Sequence, residues 1–139
     1  MQVRRLGKDV KEAGYRSRFE MHIAEYLQQE KVTYGYETCK LKYIVPETKH
    51  TYTPDWEIGG VHYESKGRFT AVDRQKILYV LACNPATDLR IIFQNADVKL
   101  RKGSNTSYGM WATKQGIKWY DWRHDKEVII SEVVTNVEH

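Results

Sequence analysis

At 139 residues the chain is long enough for one domain around one hydrophobic core. Hydrophobic residues at 41% and charged residues at 29% lie near globular averages and exclude wholesale disorder, and no apolar run approaches the ~18 residues of a membrane span. The net charge of +4 is unevenly spread, with six basic and two acidic side chains in residues 1–18 but two basic and five acidic in residues 119–139. A basic arm ahead of a near-neutral body fits either a polyanion partner, usually nucleic acid, or a solvated terminus. The first twenty residues hold no apolar stretch of the kind a secretory signal needs. Cys39 and Cys83 form no CxxC pair and the five histidines lack metal-ligand spacing. That pattern argues against zinc and for reduced thiols in a cytoplasmic protein, with one Cys39–Cys83 disulfide as the alternative.

In chain order, residues 1–15 lack periodicity and are expected to form a flexible basic arm, leaving 16–139 as a single domain. From Ser17 a helix is predicted to about Lys31, with Phe19, Ile23, Ala24, Tyr26 and Leu27 on one face. Ser17 and Glu20 have the spacing of a capping box. Strands are predicted at Thr33–Cys39 and Leu41–Val45, followed by an interruption at Pro46 and the polar stretch Glu47–His50. Thr51–Ile58 and Val61–Lys66 flank Gly59-Gly60, a strong hairpin pattern because tight hairpin turns need positive φ. Thr70 and Asp73 open a second helix to about Ala82, buried through Ile77, Leu78 and Leu81. A buried strand at Leu89–Gln94, a short helix at Ser107–Gln115 stopped by Gly116, and a last strand at Ile117–Trp122 complete a mixed α/β domain with a central sheet.

The hairpin carries the chemistry. With Gly59-Gly60 as a two-residue loop, Ile58 faces Val61, Glu57 faces His62, Trp56 faces Tyr63 and Asp55 faces Glu64. Alternation puts Asp55, Glu57, His62, Glu64 and Lys66 on one face, while Trp56, Ile58, Val61, Tyr63 and Ser65 on the other read as core. Facing Cβ atoms stand about 4.5–5.5 Å apart, so Asp55 and Glu64 repel unless a cation lies between them. Mg2+ suits such hard oxygen ligands, and Mn2+ is expected to substitute. Lys66 points to the same side, which completes a PD…(D/E)xK pattern from Pro54-Asp55 and Glu64-Ser65-Lys66. Phosphodiester hydrolysis needs a locally generated nucleophile and neutralisation of an anionic phosphate, and metal ions supply both. The alternative is a solvent-facing hairpin with a weak Glu64–Lys66 pair. Glu20 has a sufficient structural reason in the cap, and the residues alone favour that over a third acid. His62 reads as a surface residue opposite Glu57, and His50 as a backbone partner in the link before the hairpin.

The run His50-Thr51-Tyr52-Thr53-Pro54-Asp55, then Glu64-Ser65-Lys66-Gly67, the stretch from Lys102 to Gly109, Ser17-Arg18-Phe19-Glu20 and Lys114-Gln115-Gly116-Ile117-Lys118 together resemble the phage Holliday-junction resolving enzymes. The similarity spans about residues 10 to 121. It implies a restriction-endonuclease-like mixed central sheet flanked by helices, in an intertwined, domain-swapped homodimer. The bridge between halves would run through residues 41–51. Asp55 and Glu64 would be metal ligands, assisted by the Ser65 carbonyl, with Lys66 as the catalytic lysine. Glu20, supplied by the other chain, would complete the acidic set as a catalytic and metal-binding residue. Two departures stand out: Val128–His139 is acidic and apolar where the family ends in a basic tail, and the Gly59-Gly60 turn is one residue shorter.

The expected activity is therefore structure-selective, metal-dependent cleavage of four-way junctions and other branched DNA, with no organic cofactor and no membrane partner. If the chain is phage-encoded, it acts in the host cytoplasm. Arg4, Arg5, Lys8, Lys11 and Arg16 are the first candidates for phosphate contacts, with Arg68, Arg74, Lys76, Arg101 and Lys102 behind them. The rivals are a site-specific nicking or homing-type endonuclease on the same core and a non-catalytic branched-DNA binding protein.

Overall fold

The computed structural model describes residue 10, residues 13–45 and residues 48–138. The chain divides into two compact units, Met1–Thr33 and Tyr34–His139. In the first, helix α1 spans Arg18–Gln29. Ser17 is extended, and its Oγ accepts the Glu20 amide at 3.1 Å. Glu20 Oε1 accepts the Arg16 amide at 3.0 Å, so the expected box closes one residue earlier than the cap itself. Phe19, Ile23, Ala24 and Leu27 are buried as their spacing predicts, together with Met21 and Glu20, while Tyr26 is half-buried.

The second unit contains β1 (Gly35–Tyr36), β2 (Leu41–Val45), β3 (Thr48–Tyr52), β4 (Trp56–Ile58), β5 (Val61–Lys66), α2 (Ala71–Cys83), β6 (Leu89–Phe93), α3 (Tyr108–Lys114), β7 (Trp119–Asp121) and α4 (Lys126–Glu138). Three expectations are corrected. Only Gly35–Tyr36 of the predicted strand Thr33–Cys39 is paired. Of the predicted interruption, Pro46 and Glu47 lie outside the described residues, while Thr48, Lys49 and His50 are strand and pair with Val45, Ile44 and Tyr43. The run Thr51–Ile58 is instead cut at residues 53–55, where Pro54 has no N–H for a ladder. Within one chain, residues 41–45 and 48–51 thus form most of a two-stranded antiparallel ribbon.

The central sheet has the order β1-β4-β5-β6-β7. β1, β4 and β5 are antiparallel neighbours, and β5, β6 and β7 are parallel, which makes the sheet mixed. Each parallel step needs a crossover, and α2 and α3 provide them. Thr70 and Asp73 form the expected capping box on α2, and Ser107 caps α3. Gly116, at φ 74°, turns the chain out of α3 where a side chain would be strained. One face of the sheet is closed by Phe69, Ile77, Val80, Ile91, Phe93, Tyr108, Trp111 and Ala112 with Tyr43 and Tyr52 of the ribbon. In α2 it is Ile77 and Val80 that are buried, while Leu78 and Leu81 only pack against the cluster. Helix α4, absent from the sequence-based expectation, sits by the other face, where its Glu132 meets Arg90 at 3.2 Å, Lys118 at 3.1 Å and the Tyr120 hydroxyl.

Candidate active site

The Gly59-Gly60 turn sets the register of the site. Both glycines have positive φ, 57° and 83°, and the pairs Ile58–Val61, Glu57–His62 and Trp56–Tyr63 follow as expected. The next pair, Asp55 and Glu64, lies just past the end of β4. There each acid is fixed by backbone from the other strand. The Asp55 amide donates to Glu64 Oε1 at 3.2 Å, and the Ser65 amide donates to Asp55 Oδ2 at 3.0 Å. The Ser65 hydroxyl adds a 2.8 Å bond to the same oxygen, and Trp56 Nε1 lies 3.4 Å from that hydroxyl. The side chain of Ser65, expected to serve only the core, therefore holds Asp55 in place.

The two acids are buried, with Asp55 9% and Glu64 6% exposed, which removes the solvent-facing alternative for this pair. Two-sided packing is the reason: Glu64 pairs with Ile91 of β6, and Ile91 belongs to the apolar cluster under α2 and the ribbon. Burial pushes the Glu64 carboxyl above its ordinary pKa, against the opposing pull of Lys66, Tyr52 and the Asp55 amide and carboxyl. The Tyr52 phenol, buried beside Glu64 outside strict hydrogen-bond geometry, is raised well above its ordinary pKa by burial and then by the Glu64 charge. Lys66 Nζ stands 3.5 Å from Glu64 Oε2 and 3.5 Å from Asp73 Oδ1. Burial works against its charge, but the carboxylates of Glu64, Asp73 and Asp55 prevail and raise its pKa. The lysine is thus held as a cation.

Asp73 is the residue that sequence reasoning placed only in a helix cap. Its Oδ2 accepts the Thr70 amide at 3.0 Å while Oδ1 faces Lys66. The signal for that second role was present, since Thr70 starts α2 only four residues after Lys66, but the reach across the turn needs the fold. Glu20 lies in the first unit, on α1. Arg4, Arg5, Lys8 and Lys11 lie outside the described residues. Arg16, Arg68, Lys76, Arg101 and Lys102 are exposed. Arg74 is committed in part to the fold, donating to the Phe69 carbonyl at 2.7 Å, and the Lys76 ammonium lies 5.9 Å from the Tyr52 ring centroid. Among the described residues, no helix is long and apolar enough to cross a membrane.

The fold and site define a mixed α/β protein whose central hairpin carries two buried, mutually anchored carboxylates and a charged lysine, a set suited to handling an anionic ester. Comparison with known proteins supplies the family. The phage endonuclease I family profile matches residues 2–137. Endonuclease I of Escherichia phage T7 is 38% identical over 116 residues, covering 82% of this chain and 78% of that protein. Endodeoxyribonuclease 1 of Enterobacteria phage T3 is 37% identical over 108 residues, 77% of this chain and 71% of that protein. The chain belongs to the phage endonuclease I family.

Proposed function

We propose that the protein is a Mg2+-dependent endodeoxyribonuclease that resolves four-way junctions and other branched DNA as a homodimer. The observation that carries the proposal is the reciprocal anchoring of Asp55 and Glu64 beside a lysine held cationic. Structural acid pairs at cross-strand positions are disfavoured, and burial makes this one costlier still. A hard divalent cation fits the donor set, because carboxylate oxygens are its preferred ligands and Glu64 is buried enough to gain from charge neutralisation.

Asp55 and Glu64 would hold the ion, with the Ser65 carbonyl assisting, and Mn2+ would serve in place of Mg2+. When bound, the ion would activate water and offset charge building on the phosphate. Lys66 acts as a fixed positive charge toward the scissile phosphate or the attacking water, and Asp73 holds its ammonium in place. Ser65 keeps Asp55 from turning away as substrate enters. Glu20 of the second protomer would complete the acidic set. An exchange of halves through residues 41–51 is compatible with the β2–β3 ribbon, since strand pairs made within one chain can be remade between two at little net cost. A two-fold dimer would present two matched sites to a junction of approximate two-fold symmetry.

A cleavage assay on a four-way junction beside a linear duplex of the same sequence tests the reading. Mg2+-dependent paired cuts on the junction, much faster than on the duplex, are expected. Equal rates on both would remove junction selectivity, and cuts that follow sequence on linear DNA would favour a nicking or homing-type enzyme. Junction binding with no cleavage under Mg2+ or Mn2+ would leave a non-catalytic binding protein.

A further inference from the structure

Two register rows from the acids, toward the Gly59-Gly60 turn, the same ribbon carries a second and chemically different donor set. Cys39, Glu57 and His62 each offer a ligand atom, and these atoms lie within 4.8 Å of one another. Glu57 and His62 are direct cross-strand partners, and Gly35 of β1 pairs with Glu57 on its other side. Spacing in the sequence hides the set, because Cys39 arrives through a local reversal after β1. Gly35 permits that reversal: a Cβ there would stand 2.3 Å from Thr38 Oγ1. Glu37 completes it at φ 54°, a left-handed conformation unusual for a residue other than glycine. Outliers of this kind cluster where a fold positions functional groups.

His62 supplies the independent observation. Its Nδ1 is buried and has no hydrogen-bond partner, and Glu57 Oε2 lies 4.0 Å away. Buried polar atoms are normally satisfied, so a buried imidazole nitrogen without a hydrogen-bond partner beside a carboxylate is an exception that points to a ligand. We propose that Cys39, Glu57 and His62 form a second metal site, one for a borderline-soft divalent ion of the Zn2+ class. Thiolate with imidazole selects such ions over Mg2+, which prefers oxygen alone. Tetrahedral Zn2+ with bonds of about 2.0–2.3 Å places its ligand atoms about 3.3–3.7 Å apart. His62 and Glu57 are within half an ångström or so of that spacing, and Cys39 closes the rest by side-chain rotation. The Glu57 side chain is 42% exposed, which gives an ion a path in and leaves the fourth position to water. The metal clips the segment after the short edge strand β1 onto the hairpin. That segment already braces the acid site, since the Glu37 amide donates to the Asp55 carbonyl at 2.8 Å.

The test is a titration of the full-length protein, stripped of metal by a chelator, with Co2+ as a spectroscopic probe. One equivalent should produce thiolate-to-metal absorption, and Zn2+ should bleach it by displacement. Cys39→Ser should abolish the band and Cys83→Ser should leave it. His62→Gln should weaken binding by more than the 10–100-fold typical of losing a group behind the ligands. Asp55→Asn with Glu64→Gln should retain the band, which separates this site from the proposed Mg2+ site. Zn2+ should raise the melting temperature of the wild-type protein and not of Cys39→Ser. A wild-type protein with no thiolate absorption under excess Co2+, a band that survives Cys39→Ser, or a band lost in Cys83→Ser instead would overturn the proposal.

Discussion

Replacing Asp55 by Asn and by Ala separates chemistry from architecture at the acid site. Asp55 Oδ2 accepts two bonds, from the Ser65 amide at 3.0 Å and the Ser65 hydroxyl at 2.8 Å. Bonds to a charged acceptor contribute about 1.5–3 kcal/mol each, so Ala forfeits about 3–6 kcal/mol and strands a partly buried amide. Asn keeps an oxygen in the same place, loses about 1 kcal/mol per bond, and regains part of that by relieving repulsion with Glu64. The net cost for Asn is about 1 kcal/mol. Unfolding entropy for 139 residues corresponds to about 3–4 °C per kcal/mol. Thermal melts followed by circular dichroism should therefore drop by about 3 °C for Asp55→Asn and about 10–20 °C for Asp55→Ala. Cleavage should behave oppositely. Asp55→Asn should lose at least about a thousandfold in rate, the equivalent of about 4 kcal/mol of transition-state stabilisation, with junction affinity unchanged. If Asp55→Asn melts as low as Asp55→Ala, or cuts within tenfold of wild type, the carboxylate is structural and the catalytic assignment fails.

Glu64→Gln should abolish cleavage yet stabilise the metal-free protein. The folded-state pKa of Glu64 is raised, first by burial, so its favourable contribution is complete below the ordinary glutamate range and is lost as pH rises through the raised value. Lys66 keeps Asp73 as a partner in the variant, so the gain at neutral pH should reach about 1 kcal/mol or 3 °C, and melts from pH 4 to 7 should show it growing with pH. Asp73→Asn should preserve the cap on α2 but release Lys66, lowering the cleavage rate by up to about fivefold and moving the alkaline limb of the pH–rate profile to lower pH. Gly109→Ala should destabilise by about 1–2 kcal/mol despite better helix propensity, because the new Cβ would stand 2.7 Å from the Trp119 ring; the denaturation midpoint followed by tryptophan fluorescence measures it.

What was legible in the sequence was local. Gly59-Gly60 specified the hairpin, and the hairpin placed Asp55 against Glu64 without any tertiary information. Ser17, Thr70 with Asp73, and Ser107 marked three helix starts through their own side chains. Helix α4 was not legible, because Val128, Ile129, Ile130, Val133 and Val134 carry the β-branched chemistry of a strand. Its helical state is supported by contacts from far along the chain, with Glu132 bonded to Arg90, Lys118 and Tyr120 and with Ile129 and Val133 buried. Burial of the acid face was hidden for a related reason. Alternation identifies the face a residue is on, but not that residues 71–83 and the β2–β3 ribbon cover that face. The Cys39–Glu57–His62 cluster depends on a reversal whose only advance sign was a glycine at position 35.

On the residues alone, Glu20 presents a choice between capping a helix and taking part in chemistry. Asp73 shows how one side chain can cap a helix and still face a second partner. Its Oδ2 closes the cap on Thr70 while Oδ1 faces Lys66, so the two oxygens divide the work and the cap orients the one that faces the lysine. Glu20 is likewise held through one oxygen, its Oε1 accepting the Arg16 amide at 3.0 Å. A carboxylate pinned by one oxygen loses rotational freedom before any ligand arrives, and a second oxygen presented from a fixed position binds a cation with less entropy still to lose. Asp55, fixed through Oδ2 by Ser65, follows the same design on the opposite strand from Glu64. A helix cap does not by itself exclude the catalytic role proposed for Glu20. The backbone amides that satisfy one oxygen are the means by which this fold, with few residues to spare, holds its acids in place.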